Sequence, residues 1–267
     1  MDKFKSYLVG LNLAPNTISA YTIAVKGYFL LFAKITKTNL LAWKSELIEN
    51  FKAKTVNLKI QAINNYLAYI GKPELKIKSV KVQQRLFLEN VISDSDYRFL
   101  KNKLKKEKNK QWYFVVRFLA ATGARISELI KIKVEHVKVG HIDIYTKGGK
   151  IRRIYIPKAL RDESVSWIEN VLKISTGYIF QNKYGERITS RGISQQLKRF
   201  ALKFGIDPKV VYPHSFRHRF AKNFLHKFND IALLADLMGH ESIETTRIYL
   251  RKTASEQQAI VDEIITW

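Results

Sequence analysis

The chain has 267 residues, enough for one large domain or two ordinary ones, and its 46% apolar and 12% aromatic content excludes general disorder. It has no cysteine, which excludes disulfides, a thiol nucleophile and cysteine metal sites, and no long uninterrupted apolar run or signal-peptide cleavage pattern, which argues against a membrane span or secretion. Forty-seven Lys and Arg against 23 Asp and Glu give a net charge of +24, a self-repulsion that a polyanion such as nucleic acid would offset; a solvated lysine-rich surface is the plainer alternative.

These bounds predict a soluble, cytoplasmic protein, associated with the nucleoid if nucleic acid is its partner. The charge is uneven. Residues 1–75 hold ten lysines, four acids and no arginine, and every arginine lies beyond them. Arginine is the residue suited to bidentate phosphate contact.

The N-terminal part reads as helices. "PNTISAYTIAVKGYFLLF" puts Ile18, Tyr21, Val25, Phe29 and Phe32 on one stripe, with Pro15 at a helix start. "NLLAWKSELIENF" is a shorter helix. "KTVNLKIQAINNYLAYI" repeats the period with Val56, Ile60, Ile63, Leu67 and Ile70, and is closed by Gly71 and Pro73. A helical module over 1–74 is expected, then an extended linker over 75–92 and a second domain over 93–267.

"SDSDYRFLKNKLKKEKNK" opens the second domain as a helix with Ser93 at its N-cap, and six lysines fall within residues 101–110. In "LAATGARISELIKI" Gly123 breaks an apolar helix. Arg125 follows among core-like neighbours, so it must be paired, and Glu128 at i+3 is its natural partner. From about residue 133 the period changes to two. "HIDIYTKGGKIRRIYIP" alternates Ile142 and Ile144, then Ile154 and Ile156, around a glycine pair, as a β-hairpin does. The helical period then returns. The expected class is mainly α with a small antiparallel sheet.

In "YPHSFRHRFAKNF", Pro213 starts a helix whose Phe216, Phe220 and Phe224 form an apolar stripe, while His214, Arg217 and His218 share the adjacent face at i, i+3 and i+4. Those groups either bind something anionic or are neutral surface imidazoles beside an arginine. Two histidines at i, i+4 also suit a metal, but neither an HExxH glutamate nor a cysteine accompanies them, and no metal is expected. In "MGHESIETTRIYL" Ser242, Thr245, Thr246 and Tyr249 line one helical face, and Tyr249 stands nine residues after His240.

"TGARISEL", "TKGGKIR", "HSFRH" and "MGHESIETTRIY" occur in the order and near the spacings of the tyrosine recombinases, or phage-integrase family, and the chain most resembles their two-domain Xer-like members. "PNTISAY" is similar to the start of that family's SAM-like core-binding domain. The resemblance implies a core-binding domain and a catalytic domain forming a clamp on duplex DNA.

It further implies that Arg125 and Arg217 grip a scissile phosphate, with Glu128 holding Arg125. His214 hydrogen-bonds the phosphate or takes the tyrosine proton. His240 is a further donor, in a place where some relatives carry tryptophan. Lys147 protonates the departing 5′ oxygen, with Lys150 of the same turn a competitor, and Tyr249 is the nucleophile. No cofactor is implied. The basic helix "TSRGISQQLKRFALKFG" is similar to one that lies on DNA in the family, so Arg191, Gln195 and Lys198 are expected DNA contacts. The tail "ASEQQAIVDEIITW", with Ile260, Ile264 and Trp267 on one side, packs on its own domain or, as in the family, on a neighbour in a tetramer on two synapsed sites. The free protein is expected to be a monomer or dimer.

Phe216 and Ala124 depart from the commoner leucine and larger apolar residue, and "LR" after Tyr249 replaces Thr-His. Dimer resolution of the Xer kind is the expected role. Integration or excision of a mobile element, a topoisomerase that only nicks and religates, and a non-catalytic DNA-binding protein are the alternatives. The DNA site and any accessory protein are not legible.

Overall fold

A Pro at N1 and a hydroxyl cap set the first long helices. Pro15 starts α2 (Pro15–Leu31), and the Thr36 side chain accepts a hydrogen bond from the Asn39 N–H at the start of α3 (Lys37–Asn50). In the computed structural model the described residues are 1–82, 90–107, 109–145, 151–250 and 254–265. They fall into two compact units, Met1–Gln84 and Arg85–Trp267.

The first unit is helical: α1 (Asp2–Gly10), α2, α3 and α4 (Ala53–Tyr69) enclose Phe4, Leu8, Val25, Trp43, Ile60, Ile63 and Leu67. The stripe of α4 is buried as its period predicts. Of the α2 stripe, Val25 is buried and Ile18, Tyr21 and Phe32 pack against this core, but Phe29 is exposed, and Thr22 and Tyr28 face inward beside them. Tyr28 takes the inner place because its ring stacks edge-on against Trp43, 5.3 Å away, while its hydroxyl donates to the Lys34 carbonyl.

The segment after α4 begins with a 3-10 turn, Pro73–Leu75, and then runs extended. Asn64 and Asn57, two turns apart on α4, bind both backbone groups of Ile77 and Val80 respectively at 2.8–3.0 Å. The two amides imitate a strand partner and strap residues 77–80 to the helical unit. Residues 83–89, within the stretch read as a linker, lie outside the described residues.

The second unit holds α5 (Asp94–Lys106), α6 (Lys110–Thr122), α7 (Ile126–Leu129), α8 (Val134–Val139), strands β1 (His141–Tyr145) and β2 (Ile151–Tyr155), α9 (Lys158–Trp167), α10 (Ser190–Lys203), α11 (Pro213–Lys227), α12 (Ile231–Met238), α13 (Ile243–Arg247) and α14 (Ala254–Ile264). Ser93 caps α5. β1 and β2 pair antiparallel, with Ile142 opposite Ile154. The alternating period begins later than expected, because residues 134–139 form a helix that buries Val134 and Val137 and ends at Gly140 in the left-handed region. The fold is mainly helical with one small antiparallel sheet. Among the described residues no helix is long and apolar enough to cross a membrane.

α6 runs through the main core, burying Phe114, Val115, Phe118 and Leu119, and Arg117 on its side is paired with Glu163 at 2.6 Å. A smaller cluster of Ala221, Leu225, Leu234, Met238 and Tyr249 joins α11, α12 and the 3-10 turn Ile248–Leu250. The site forms where these two clusters adjoin.

Candidate active site

Gly123 ends α6 at φ +60°, and a Cβ there would come within 2.5 Å of the Phe220 ring. This turn presents Arg125 as the N-cap of α7. Glu128, one turn on, accepts from the Arg125 backbone N–H at 2.7 Å and from its Nη1 at 2.9 Å. The pairing expected from sequence is present, but Glu128 has a second partner. Nη1 of Arg152, inward-facing on β2, donates to both of its carboxylate oxygens at 2.7 Å. Glu128 and Arg152 are 6% and 5% exposed. Burial alone would raise the Glu128 pKa, yet Arg152 and Arg125 hold it below the ordinary carboxylate value.

Arg217, on α11 and 3% exposed, donates to the Gly123 carbonyl and, through Nη2, to the Met238 carbonyl, both at 2.5 Å. Nη2 of Arg125 donates to the next carbonyl, that of Gly239, at 3.0 Å. The two guanidiniums thus meet adjacent peptides of one loop. Gly239 is also left-handed, and a Cβ there would overlap the Arg152 side chain. Burial, then Arg152 and Arg125, bring the Arg217 pKa down to about 10, so it stays charged at neutral pH.

His240 follows this loop. Its Nε2 lies 3.1 Å from Arg217 Nη2 and its Nδ1 2.7 Å from the Thr246 hydroxyl. A guanidinium only donates, so these partners assign Nε2 as acceptor and place the proton on Nδ1. The ring expected to donate to phosphate here accepts from arginine. Ser242 caps α13, Thr246 is buried at its inner face, and the 3-10 turn brings in Tyr249, 6% exposed. Its hydroxyl lies 3.2 Å from Nδ1 of His218. Burial raises the phenol pKa and outweighs the lowering by Arg217 and Arg125, so the ring is protonated at rest.

His214 lies on the exposed side of the same helix, its ring centroid 6.5 Å from that of His218, and the partial burial of its ring, followed by Arg217 and Arg125, lowers its pKa. Arg125, Glu128, His214, Arg217, His240 and Tyr249 are therefore gathered in one place. Lys147 and Lys150 lie outside the described residues, as do Trp267 and the Ile260 side chain. Arg191, Gln195 and Lys198 form the exposed face of α10, away from buried Ile193 and Leu197.

Sequence reasoning assigned no role to Arg152 or His218. Arg152 carried a signal, since an arginine at an inward strand position must be paired. The guanidiniums of Arg125 and Arg152 share the Glu128 carboxylate while that of Arg217 has no carboxylate bond among the described residues, and Nη2 of Arg152 is buried with no hydrogen-bond partner among them. Such a surplus of fixed donors suits a bound anion.

Burial first, and then neighbouring cations, bring the pKa of both His218 and His240 to about 4. An unfolded histidine titrates near 6.5, so below that pH the unfolded chain takes up protons that the folded one refuses. Stability is therefore expected to be full above pH about 6.5 and to fall as pH drops toward 4. Thermal melts across this range would check it. Replacing both rings by glutamine should flatten the slope, and an unchanged slope would refute it.

Residues 90–256 match the sequence profile of the phage integrase family. Over 98% of this chain and 92% of the relative, the sequence is 29% identical to the tyrosine recombinase XerA of Pyrococcus furiosus. The fold resembles that of the XerH site-specific recombinase bound to its difH substrate, with a TM-score of 0.72 and 21% identity over 94% of this chain and 80% of that one. A lambda integrase dimer on a core site gives a TM-score of 0.73 at 17% identity, over 93% of each chain.

Proposed function

The chain belongs to the phage integrase family, that of the site-specific tyrosine recombinases, and from that premise we propose that it cuts and rejoins duplex DNA through Tyr249. The observation that carries this reading is the convergence of Arg125 and Arg217 on adjacent carbonyls of the loop that leads to Tyr249. Those carbonyls are neutral acceptors, and a phosphate, being charged, outcompetes them for the same guanidinium donors.

With a phosphate so held, the phenol oxygen attacks phosphorus, forming a 3′-phosphotyrosyl bond, and the 5′ oxygen departs as a hydroxyl. The guanidiniums stabilise the charge that builds on the pentavalent phosphorus, and Glu128 keeps Arg125 in place. Lys147 is proposed, on the sequence resemblance, as the acid for the 5′ oxygen. The ester survives the exchange, so resealing calls for no nucleoside triphosphate. His214 completes the phosphate contacts, His240 joins them once its Nε2, which accepts from Arg217 at rest, takes a proton, and the exposed face of α10, with Arg191, Gln195 and Lys198, lies on the duplex.

Dimer resolution of the Xer kind is the role proposed, by a tetramer on two synapsed sites. Val261 and Ile264 of the terminal helix and Ile265 just beyond it are exposed, which supports docking of α14 on a neighbouring copy. The test is a nicked suicide duplex carrying a candidate site, incubated with chelator and without ATP. A denaturation-resistant protein–DNA adduct is expected. Pairing of two sites into recombinants, as opposed to mere relaxation of a supercoiled circle, separates recombinase from topoisomerase. If no duplex of any sequence yields adduct, the reading fails.

A further inference from the structure

His218 contacts the reacting oxygen, yet the scheme above gives it no task. It lies one turn beyond His214 on α11, its ring centroid 5.4 Å from that of Tyr249, with Nδ1 3.2 Å from the phenol oxygen. The nearby Arg217 guanidinium favours the phenolate form of that oxygen. The phenol is protonated at rest, and its O–H can donate to the imidazole across this contact. Nδ1 can receive the proton if the ring is neutral with its own proton on Nε2.

We propose that His218 is the catalytic base of strand cleavage, taking the Tyr249 proton through Nδ1 as the phenol oxygen attacks the scissile phosphorus. The proposal rests on the reading of Tyr249 as the nucleophile. In the step, the bond from the tyrosine oxygen to phosphorus forms and the bond from phosphorus to the 5′ oxygen breaks. The phenol proton passes to Nδ1, and the 5′ oxygen takes its proton from the acid proposed above as Lys147. On rejoining, the 5′ hydroxyl attacks and gives its proton back to the Lys147 amine, the phenolate leaves, and Nδ1 returns the phenol proton. His214, exposed at the mouth of the site, is then left to bind a phosphate oxygen.

The surroundings make this base conditional on DNA. His214 and Arg217 on its own helix, and His240 from the loop after α12, face it, and Arg125 and Tyr212 act on its phenol partner. Burial and these neighbours leave the ring with a pKa of about 4, neutral but a weak base. A phosphate against Arg125 and Arg217 brings negative charge into the same space, which favours an imidazolium. The ring gains basicity only when there is a bond to cut.

The test compares single-turnover cleavage of the suicide duplex by the full-length protein and by His218→Ala and His218→Gln. Loss of a general base lowers the rate about 10²–10⁴-fold. For His218→Ala the residual rate should climb steadily with pH as hydroxide takes over, and added imidazole should restore part of it. A duplex with sulfur at the bridging 5′ position, which leaves without a proton, should not rescue either variant. Wild-type cleavage by His218→Ala overturns the proposal. So does full activity in His218→Gln, which keeps a hydrogen bond but cannot take a proton, and which would make His218 a positioning residue. Adduct formation by Tyr249→Phe would instead refute the nucleophile reading, whatever the His218 variants do.

Discussion

Tyr249→Phe is expected to abolish the covalent protein–DNA adduct, lowering its rate of formation by about 10⁴-fold or more, the scale of loss when a nucleophile is removed. DNA affinity should be unchanged, because the arginines that supply the charge are untouched. The fold should also survive. The ring keeps its place among Ala221, Leu225, Leu234 and Met238, and the lost hydrogen bond to His218 costs only about 1 kcal/mol. Gel-shift and denaturing-gel assays on one preparation would therefore read intact binding beside absent chemistry. Persisting adduct would move the nucleophile elsewhere. Tyr212, the residue before α11, is close enough to influence the Tyr249 phenol and would be the first alternative.

That prediction could be written from the sequence, and the reason is physical. Helical periods survive because each buried face repeats every three to four residues, as Val56, Ile60, Ile63 and Leu67 do on α4. Arg125 and Glu128 were legible because they lie three residues apart, within one turn. Where partners come from distant segments, the sequence is silent. Arg152 reaches Glu128 across 24 positions, and His218 reaches Tyr249 across 31. The pattern of α2 misled at one position, because Tyr28 and Phe29 both suit an apolar stripe, and the contact with Trp43 and the hydroxyl bond to Lys34 decide between them. Protonation is the subtlest case. A cationic pocket argues for phenolate, but the depth of Tyr249 in its small cluster reverses the outcome at rest.

Glu128→Ala should destabilise the catalytic unit by about 3–5 kcal/mol, the cost of stranding one member of a buried ion pair, which corresponds to a melting-temperature drop of roughly 6–20 °C. The stranded member is Arg152, 5% exposed, already holding one unpartnered nitrogen and already pushed down in pKa by burial. Replacing the arginine as well, in Glu128→Ala with Arg152→Met, removes the uncompensated charge and fills its space with apolar atoms, so the double variant should melt well above the single one. Additive losses would show that the pair is not coupled, and a Glu128→Ala change within about 1 kcal/mol of wild type would show that water reaches the site. Cleavage separates two roles of the same carboxylate. Stability depends on Glu128 through Arg152, and phosphate binding depends on it through Arg125, whose Nη1 and backbone N–H it alone fixes within α7. The double variant should therefore regain its fold and still cleave slowly, because nothing restores the hold on Arg125.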